Sequence, residues 1–355
     1  MKPLDAAARF LKSVTSKDSI IIVFNNDADG LCSCVLIEKY LKGMGCKDSL
    51  KISQPMPPED NLIRKIQTTV PTKIIFLDMA IDQDQVLMKK IGGLCDILII
   101  DHHQITKNMN GRNIVHLNPR LDKQDIYQST TYLAYKLIEI LMDPAQWLWI
   151  ASVGMIADYN LDDSQDVVGL IRKKYGITSS NLYESHFGRL ADMISSAKAT
   201  KKLSMEELAD LFMNIEDPFN LDGVKNSDKL IEAYKDVENE LVRIKSEFES
   251  RAEKKGDIVY YNFNSKYNLR SPVSTILSER YRNKIVVVYE KVGSWIDVSV
   301  RNQTKRYNVG MLLKKSAEGL GASAGGHEAA AGAKVPEKNW KAFRENLEEL
   351  AQSGK

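Results

Sequence analysis

Cysteine is scarce in this 355-residue chain, and its four copies, Cys32, Cys34, Cys46 and Cys95, form no CxxC pair. That argues against a disulfide-stapled scaffold or a thiolate metal centre and makes buried free thiols the expectation. No apolar run approaches the roughly 20 residues of a membrane helix, and MKPLDAAARFLKS lacks the long apolar segment of a secretory signal. The expected compartment is therefore cytoplasmic, with no membrane partner. Net charge is small at +2, so the overall balance says nothing for nucleic acid. Only five histidines are present, yet two of them are adjacent. The remainder, 43% apolar and 27% charged, is ordinary for a globular protein, and the length exceeds what a single core usually spans.

The adjacent pair lies in Ile100-Asp101-His102-His103-Gln104, directly after an apolar run that reads as a buried strand. Two other apolar runs end similarly: SIIIVFNN leads into Asp27-Ala28-Asp29-Gly30, and KIIFL into Asp78. Strands of a parallel sheet are covered on both faces, so they read as continuous Val/Ile/Leu runs, and functional groups collect beyond their carboxyl ends. Ser19 to Asn25, Lys73 to Leu77 and Asp96 to Ile100 are such runs, with helical segments at Leu31 to Lys42 and Gln83 to Ile91. One cleft can then hold Asp27, Asp29, Asp78, Asp101, His102 and His103. A single acidic residue at a strand end is usually solvated punctuation, and of two histidines one can pack in the core while the other faces solvent. Their joint recurrence after three strands argues for a site.

Imidazole and carboxylate ligands suit Mn, Fe, Zn or Mg. So many carboxylates exceed the needs of one tetrahedral zinc, and carboxylates bridge, so two cations roughly 3.5–4 Å apart become plausible. Such a pair activates water and neutralises phosphoryl oxygens, which makes phosphates the natural substrates.

At this point the chain resembles the DHH phosphoesterases, a superfamily that includes RecJ-type exonucleases, NrnA-type oligoribonucleases and family II pyrophosphatases. NNDADG, FLDMA, IDHHQ and ASVGMIADYN match its motifs in order, the last supplying Asp158 near the end of an apolar helix read as Pro144 to Ile156. Far downstream, GASAGGHEAAAGAKV resembles the Gly-Gly-His signature of the DHH-associated C-terminal domain, with Gly325, Gly326 and His327. The resemblance implies that Asp27 ligates a first metal, that Asp78 bridges, and that Asp29, His102 and Asp158 ligate a second. His103 would then lie near the leaving group as an electrostatic or general-acid element and Asp101 would orient a histidine, with the two histidines able to exchange those roles. The implied cofactor is a pair of Mn2+ ions, with Mg2+ or Co2+ as alternatives. Many relatives carry His or Asp where this chain has Asn25, an uncertain and weaker ligand, or merely a residue satisfying strand-end backbone groups.

The expected architecture is α/β: a parallel-sheet DHH domain over residues 1–225, a connecting helix over 226–255 and a smaller α/β domain over 256–355. Leu230, Tyr234, Val237, Leu241, Ile244 and Phe248 recur at spacings of four and three, the stripe of one long amphipathic helix. Such a helix spans roughly 38 Å and can join two domains, although a coiled-coil seam has the same spacing. Leu161 to Asn220 reads as helical and charged, with room for a partner-binding insertion.

The C-terminal part reads as strands Ile258 to Phe263, Lys284 to Glu290 and Ser294 to Val300, with helices near Pro272 to Arg280, Val309 to Ala317 and Lys338 to Ala351. Its glycine-rich segment reads as a loop, either one that presents backbone N–H groups to a phosphate or one simply packed against a helix. Residues 265–315 carry eleven Lys or Arg against three acidic residues. Arg270, Arg280, Arg282, Arg301, Lys305 and Arg306 alternate there with Tyr267, Tyr281, Tyr289, Trp295 and Tyr307, a mixture suited to tracking and stacking single strands. Arg301 ends the strand IDVSVR, and relatives often grip a substrate phosphate there.

The expected function is metal-dependent hydrolysis of single-stranded DNA or RNA from an end. Two alternatives remain open: a scaffold of replication complexes, associated with GINS, with little or no nuclease activity, and an NrnA-like enzyme acting on short oligonucleotides or cyclic dinucleotides. A pyrophosphatase is disfavoured, since those relatives lack the Gly-Gly-His signature.

Overall fold

The computed structural model describes residues 3–159, 161–179, 181–326 and 328–353. The chain divides into two compact units, Met1–Tyr234 and Lys235–Lys355. In the first, the apolar runs form parallel strands β1 (Ile20–Asn25), β2 (Leu50–Gln54), β3 (Lys73–Leu77), β4 (Asp96–Ile100) and β5 (Ile114–Leu117), ordered β2-β1-β3-β4-β5. Because successive residues point to opposite faces, Ile22, Phe24, Ile75, Leu77, Leu98 and Ile100 enter one core, and Ile21, Val23, Ile74, Phe76, Ile97 and Ile99 enter another. Helices α1 (Pro3–Lys12) and α2 (Ala28–Gly43) contribute to the first core, α3 (Asn61–Thr69) and α4 (Gln85–Ile91) to the second. Burial on both faces is why these strands read as unbroken apolar runs. β2 and β5 escape that reading: LKISQ is half polar and IVHL is only four residues long.

The first core is completed by α5 (Thr130–Leu141), α6 (Leu148–Ala157), α7 (Gln165–Tyr175), α8 (His186–Thr200) and α9 (Met205–Met213). The apolar helix expected from Pro144 therefore starts four residues later. Ala145–Trp147 is a 3-10 turn, at whose start the Asp143 side chain accepts from Ala145 N at 2.9 Å. The helical stretch after Leu161 is no appendage, since Val168, Ile171, Phe187, Leu190, Leu208 and Phe212 are all buried in this core.

The stripe at 230–248 lies on α10 (Ser227–Arg251), where Leu230, Val237, Leu241, Ile244 and Phe248 are buried within the chain rather than left as a coiled-coil seam. The last residues expected to be helical, Glu253–Lys255, form instead a short strand, β6. The second unit continues with β7 (Ile258–Asn262), α11 (Arg270–Arg280), β8 (Ile285–Val292), β9 (Trp295–Arg301), α12 (Val309–Ser316), β10 (Ser323–Gly326), β11 (Ala330–Pro336) and α13 (Trp340–Gln352). Its sheet runs β10-β11-β9-β8-β7-β6, with only β7 and β8 parallel. The glycine-rich segment is thus a hairpin and not a loop, because its small residues pair along two strands, Gly325 opposite Gly332 and Gly326 opposite Ala331. Among the described residues no helix is long and apolar enough to cross a membrane.

Candidate metal centre

A sheet of order 2-1-3-4-5 has its topological switch between the strands in positions 1 and 3, where the following loops part and leave a crevice. The chain that leaves β1 there turns at once into α2. Asp27 caps that helix, accepting from Gly30 N at 2.9 Å, and a Cβ on Gly30 would collide with the backbone of Asn25. Only glycine allows so close an approach, and it holds Asp27 and Asp29 over the strand end. Asp29 is buried, and its two oxygens accept from Thr130 N and Thr131 N, each at 2.8 Å, at the start of α5.

Asp78, just past β3, has φ 60°, a left-handed conformation that turns its carboxylate across the strand ends. It accepts from Thr130 Oγ1 at 3.2 Å and from Asn25 Nδ2 at 3.0 Å. Asn25 donates to Asp27 as well, so its amide joins two carboxylates as a donor, while its oxygen accepts from Asn26 N. In this arrangement Asn25 offers the pocket no ligand atom.

His102 and His103 follow β4. His102 is buried, with Nε2 3.2 Å from Asp78 and Nδ1 3.6 Å from Asp158 Oδ2. His103 Nδ1 lies 2.7 Å from Asp101 Oδ1 and 4.0 Å from Asp78. Asp158 arrives from the end of α6, which packs tightly against α2 and α5. A Cβ on Gly154 would come within 2.8 Å of the β-carbons of Cys32 and Thr131. The ligand atoms of Asp78, His102 and His103 lie within 4.8 Å of one another, as do those of Asp29, His102 and Asp158. Asp27 is outside both groups and joins them through Asn25. Asp101 is buried behind His103 as its partner.

The electrostatics favour a cation. Burial, reinforced by the charges of Asp29 and Asp27, pushes the Asp158 carboxyl up to about 9. Asp29 rises to about 6, chiefly by burial, and Asp78 moves well above the carboxylate range through burial and the surrounding aspartates. Burial and the neighbouring His103 lower His102 to about 4, leaving it the neutral imidazole that metals bind. Asp101 and His103 go the opposite way: burial opposes their charges, but the contact between them holds the carboxyl low and the imidazole high. Two buried atoms facing each other, His102 Nδ1 and Asp158 Oδ2, have no hydrogen-bond partner. Buried polar atoms are rarely left so, and a divalent cation satisfies both.

Several residues of the site escaped the sequence reading. Asn118 donates to Asp101 at 3.4 Å and to the His103 carbonyl at 3.1 Å, and Arg120 Nε donates to the His102 carbonyl at 2.8 Å. Tyr127 donates to Asp158 Oδ1 at 3.1 Å and sets its ring edge-on to His102. The available signals were the Asn-Pro pair after IVHL and the Ser-Thr-Thr run before an apolar segment, a helix-start pattern.

In the second unit, Arg301 ends β9 opposite Ala330, at the end of the sheet where the β10–β11 hairpin carries Gly325 and Gly326. Its guanidinium donates to Ser271 Oγ at 2.8 Å. His327, nominated with these glycines, lies outside the described residues. The alternating basic and aromatic residues do not form an open track. Tyr267 and Tyr307 are buried, their hydroxyls on Asp236 and Asp257, and Tyr289 packs on Trp340 and Tyr281 on Phe248. Arg270 pairs with Glu290 and Asp297 inside the basic window, and Glu249 and Asp257 from outside it pair with Arg280 and Lys284, so part of its charge is neutralised.

The chain matches the DHH family, N-terminal domain, over residues 19–158 and the DHHA1 domain over residues 258–353. No protein of curated function matches it in sequence. Its fold is similar to that of RecJ from Thermus thermophilus in complex with Mn2+, with TM-score 0.75 and 17% identity, covering 99% of this chain and 55% of that one. The chain thus spans about half the length of that protein. An exonuclease RecJ bound to manganese gives TM-score 0.70 and 19% identity, covering 99% and 95%. A pGpG-specific phosphodiesterase from Vibrio cholerae, PggH, gives 0.54 and 13%, covering 95% and 100%. At these identities the likeness is one of fold.

Proposed function

The chain belongs to the DHH phosphoesterases and ends in a DHHA1 domain, and on that premise we propose that it is a metal-dependent phosphodiesterase hydrolysing single-stranded DNA or RNA from an end. The observation that carries this reading is the facing pair of unsatisfied ligand atoms, His102 Nδ1 and Asp158 Oδ2, inside a pocket of buried aspartates at the sheet's switch point. Asp78, His102 and Asp158 would hold divalent metal, with Asp29 and Asp27 beside them, and two Mn2+ ions are the proposed cofactor. When bound, such cations supply Lewis-acid activation of water and neutralise charge gathering on the phosphoryl oxygens.

The remaining work falls to protein groups. Asp101, buried and held by Asn118, fixes the His103 ring through Nδ1 and favours its protonated form. Nε2 is then the atom from which a proton passes to the leaving oxygen, as general acid catalysis needs. Thr130 and Thr131 keep Asp29 and Asp78 in place before substrate arrives, so little reorganisation remains for the reaction. In the second unit Arg301, Gly325, Gly326 and His327 are the proposed contacts to the terminal phosphate.

A second reading, a GINS-associated replication scaffold with weak or no nuclease activity, is favoured by Asn25, whose amide donates to both Asp27 and Asp78. Degradation of end-labelled single-stranded DNA and RNA with Mn2+, beside a dinucleotide substrate, separates the readings. Cleavage of the long strands, abolished in Asp78→Ala and His103→Ala, supports the exonuclease. Cleavage of the dinucleotide alone supports an oligonucleotide phosphodiesterase, and no cleavage with any metal supports the scaffold.

A further inference from the structure

Tyr159 directly follows Asp158, and among the described residues it is the most exposed aromatic side chain, at 72%. Its φ is 58°, a left-handed conformation uncommon for a bulky residue. The ring lies nearly parallel to that of Tyr183, with centroids 5.6 Å apart and planes at 16°. Tyr183 is itself firmly placed. It lies in the 3-10 turn Leu182–Glu184, its N–H donates to Asn181 Oδ1 at 3.0 Å, and Gly188 approaches its carbonyl so closely that a Cβ there would collide.

Tyr159 directly follows the end of α6, where left-handed backbone is common, and folding gains little from a large ring left mostly in water. Left-handed backbone at a non-glycine residue persists where surrounding structure enforces it, often beside functional groups. Here it holds a flat π surface one residue from a proposed metal ligand, backed by a second ring that fixes its orientation. Every nucleobase has a π face, so such a surface accepts bases with little regard to sequence. A bare phosphate or sugar phosphate gains nothing from it.

We infer that Tyr159, backed by Tyr183, stacks the nucleobase adjoining the reacting phosphate, so that the site selects nucleosides over other phosphate esters. Tyr159 is the contact and Tyr183 the positioning residue. The inference rests on the phosphodiesterase reading of the pocket but is tested apart from it.

The test uses product-like ligands, which need no catalysis. With Mn2+ present, 2-aminopurine riboside 5′-monophosphate and ribose 5-phosphate are titrated into the full chain, following 2-aminopurine fluorescence for the first and calorimetry for both. Tyr159→Asn removes the ring while tolerating the left-handed backbone. It is expected to weaken the nucleotide roughly tenfold, with loss of fluorescence quenching, and to leave ribose 5-phosphate unchanged. Tyr159→Phe should retain wild-type binding, and Tyr183→Ala should fall between. Equal effects on both ligands, or none on either, would overturn the inference. The kinetic counterpart compares a strand carrying a terminal base with one whose terminal nucleotide is abasic. Wild type should prefer the former about tenfold in KM, and Tyr159→Asn should erase that preference. Should wild type hydrolyse neither strand, the phosphodiesterase reading falls, and the nucleotide titration still decides the inference.

Discussion

Replacing Gly154 by alanine tests whether close helix packing builds the pocket. A new Cβ would lie 2.8 Å from the β-carbons of both Cys32 and Thr131, and neither carbon can rotate away. The Thr131 hydroxyl, also in its path, is committed to the Asp29 carbonyl at 2.9 Å. Overpacking of this kind costs about 3 kcal/mol at the upper end, and the better helix propensity of alanine returns about 1 kcal/mol. The net loss is about 2 kcal/mol, or a fall in Tm of roughly 4–8 °C at this size. Gly169 on α7 supplies the control, because it is exposed and a Cβ there meets nothing within 4 Å. The same substitution at Gly169 should raise Tm by up to about 4 °C. Thermal unfolding followed by circular dichroism, with EDTA and again with Mn2+, reads both variants. Gly154→Ala should also bind Mn2+ more weakly, since the helices it displaces carry Asp158 and the N–H groups on Asp29. A Gly154→Ala protein that melts at or above wild type and binds Mn2+ equally well would refute the reasoning.

Asn118→Ala removes the donor that holds Asp101 and the His103 carbonyl, and is expected to lower Mn2+-dependent activity about 10- to 100-fold while the protein stays folded, measured by steady-state kinetics and near-UV circular dichroism. Arg270→Ala leaves the largely buried Glu290 and Asp297 without their cation, so urea unfolding should show a loss of roughly 3 kcal/mol. The metal-free protein should lose stability as pH rises from about 6 to 9. Asp158 has a folded-state pKa of about 9, above the roughly 3.9 of an unfolded aspartate, so the folded state binds more protons across that window and its deprotonation favours unfolding, while Asp29, at about 6, makes its contribution mostly below that window. Melting temperature against pH, with EDTA and with Mn2+, checks this, and Mn2+ should flatten the decline.

The parallel sheet was legible because burial on both faces writes itself as continuous apolar runs, and the acidic residues after β1, β3 and β4 were conspicuous against them. What stayed hidden works through groups that every residue has or through partners far away in the chain. Asp29 is held by the backbone N–H groups of Thr130 and Thr131, whose side chains need not announce that role. β2 and β5 are too polar or too short to stand out, and with β5 went Asn118, which meets Asp101 from across the strand ends. In the second unit, alternation of arginine and tyrosine could not reveal which of them are already engaged. Asp236 takes the Tyr267 hydroxyl, Glu249 takes Arg280, and Asp257 takes both Lys284 and the Tyr307 hydroxyl. The glycine-rich segment misled for a related reason, since small residues suit a phosphate loop and a tightly paired hairpin equally well.

The most direct test of the metal pocket is calorimetric titration of Mn2+ into the full chain and into its Asp78→Ala and His102→Ala variants. Saturable binding by wild type, abolished or weakened at least tenfold in both variants, is the result expected if these buried carboxylates and imidazoles surround divalent cations. Absence of binding by wild type, or binding that neither substitution disturbs, would contradict it.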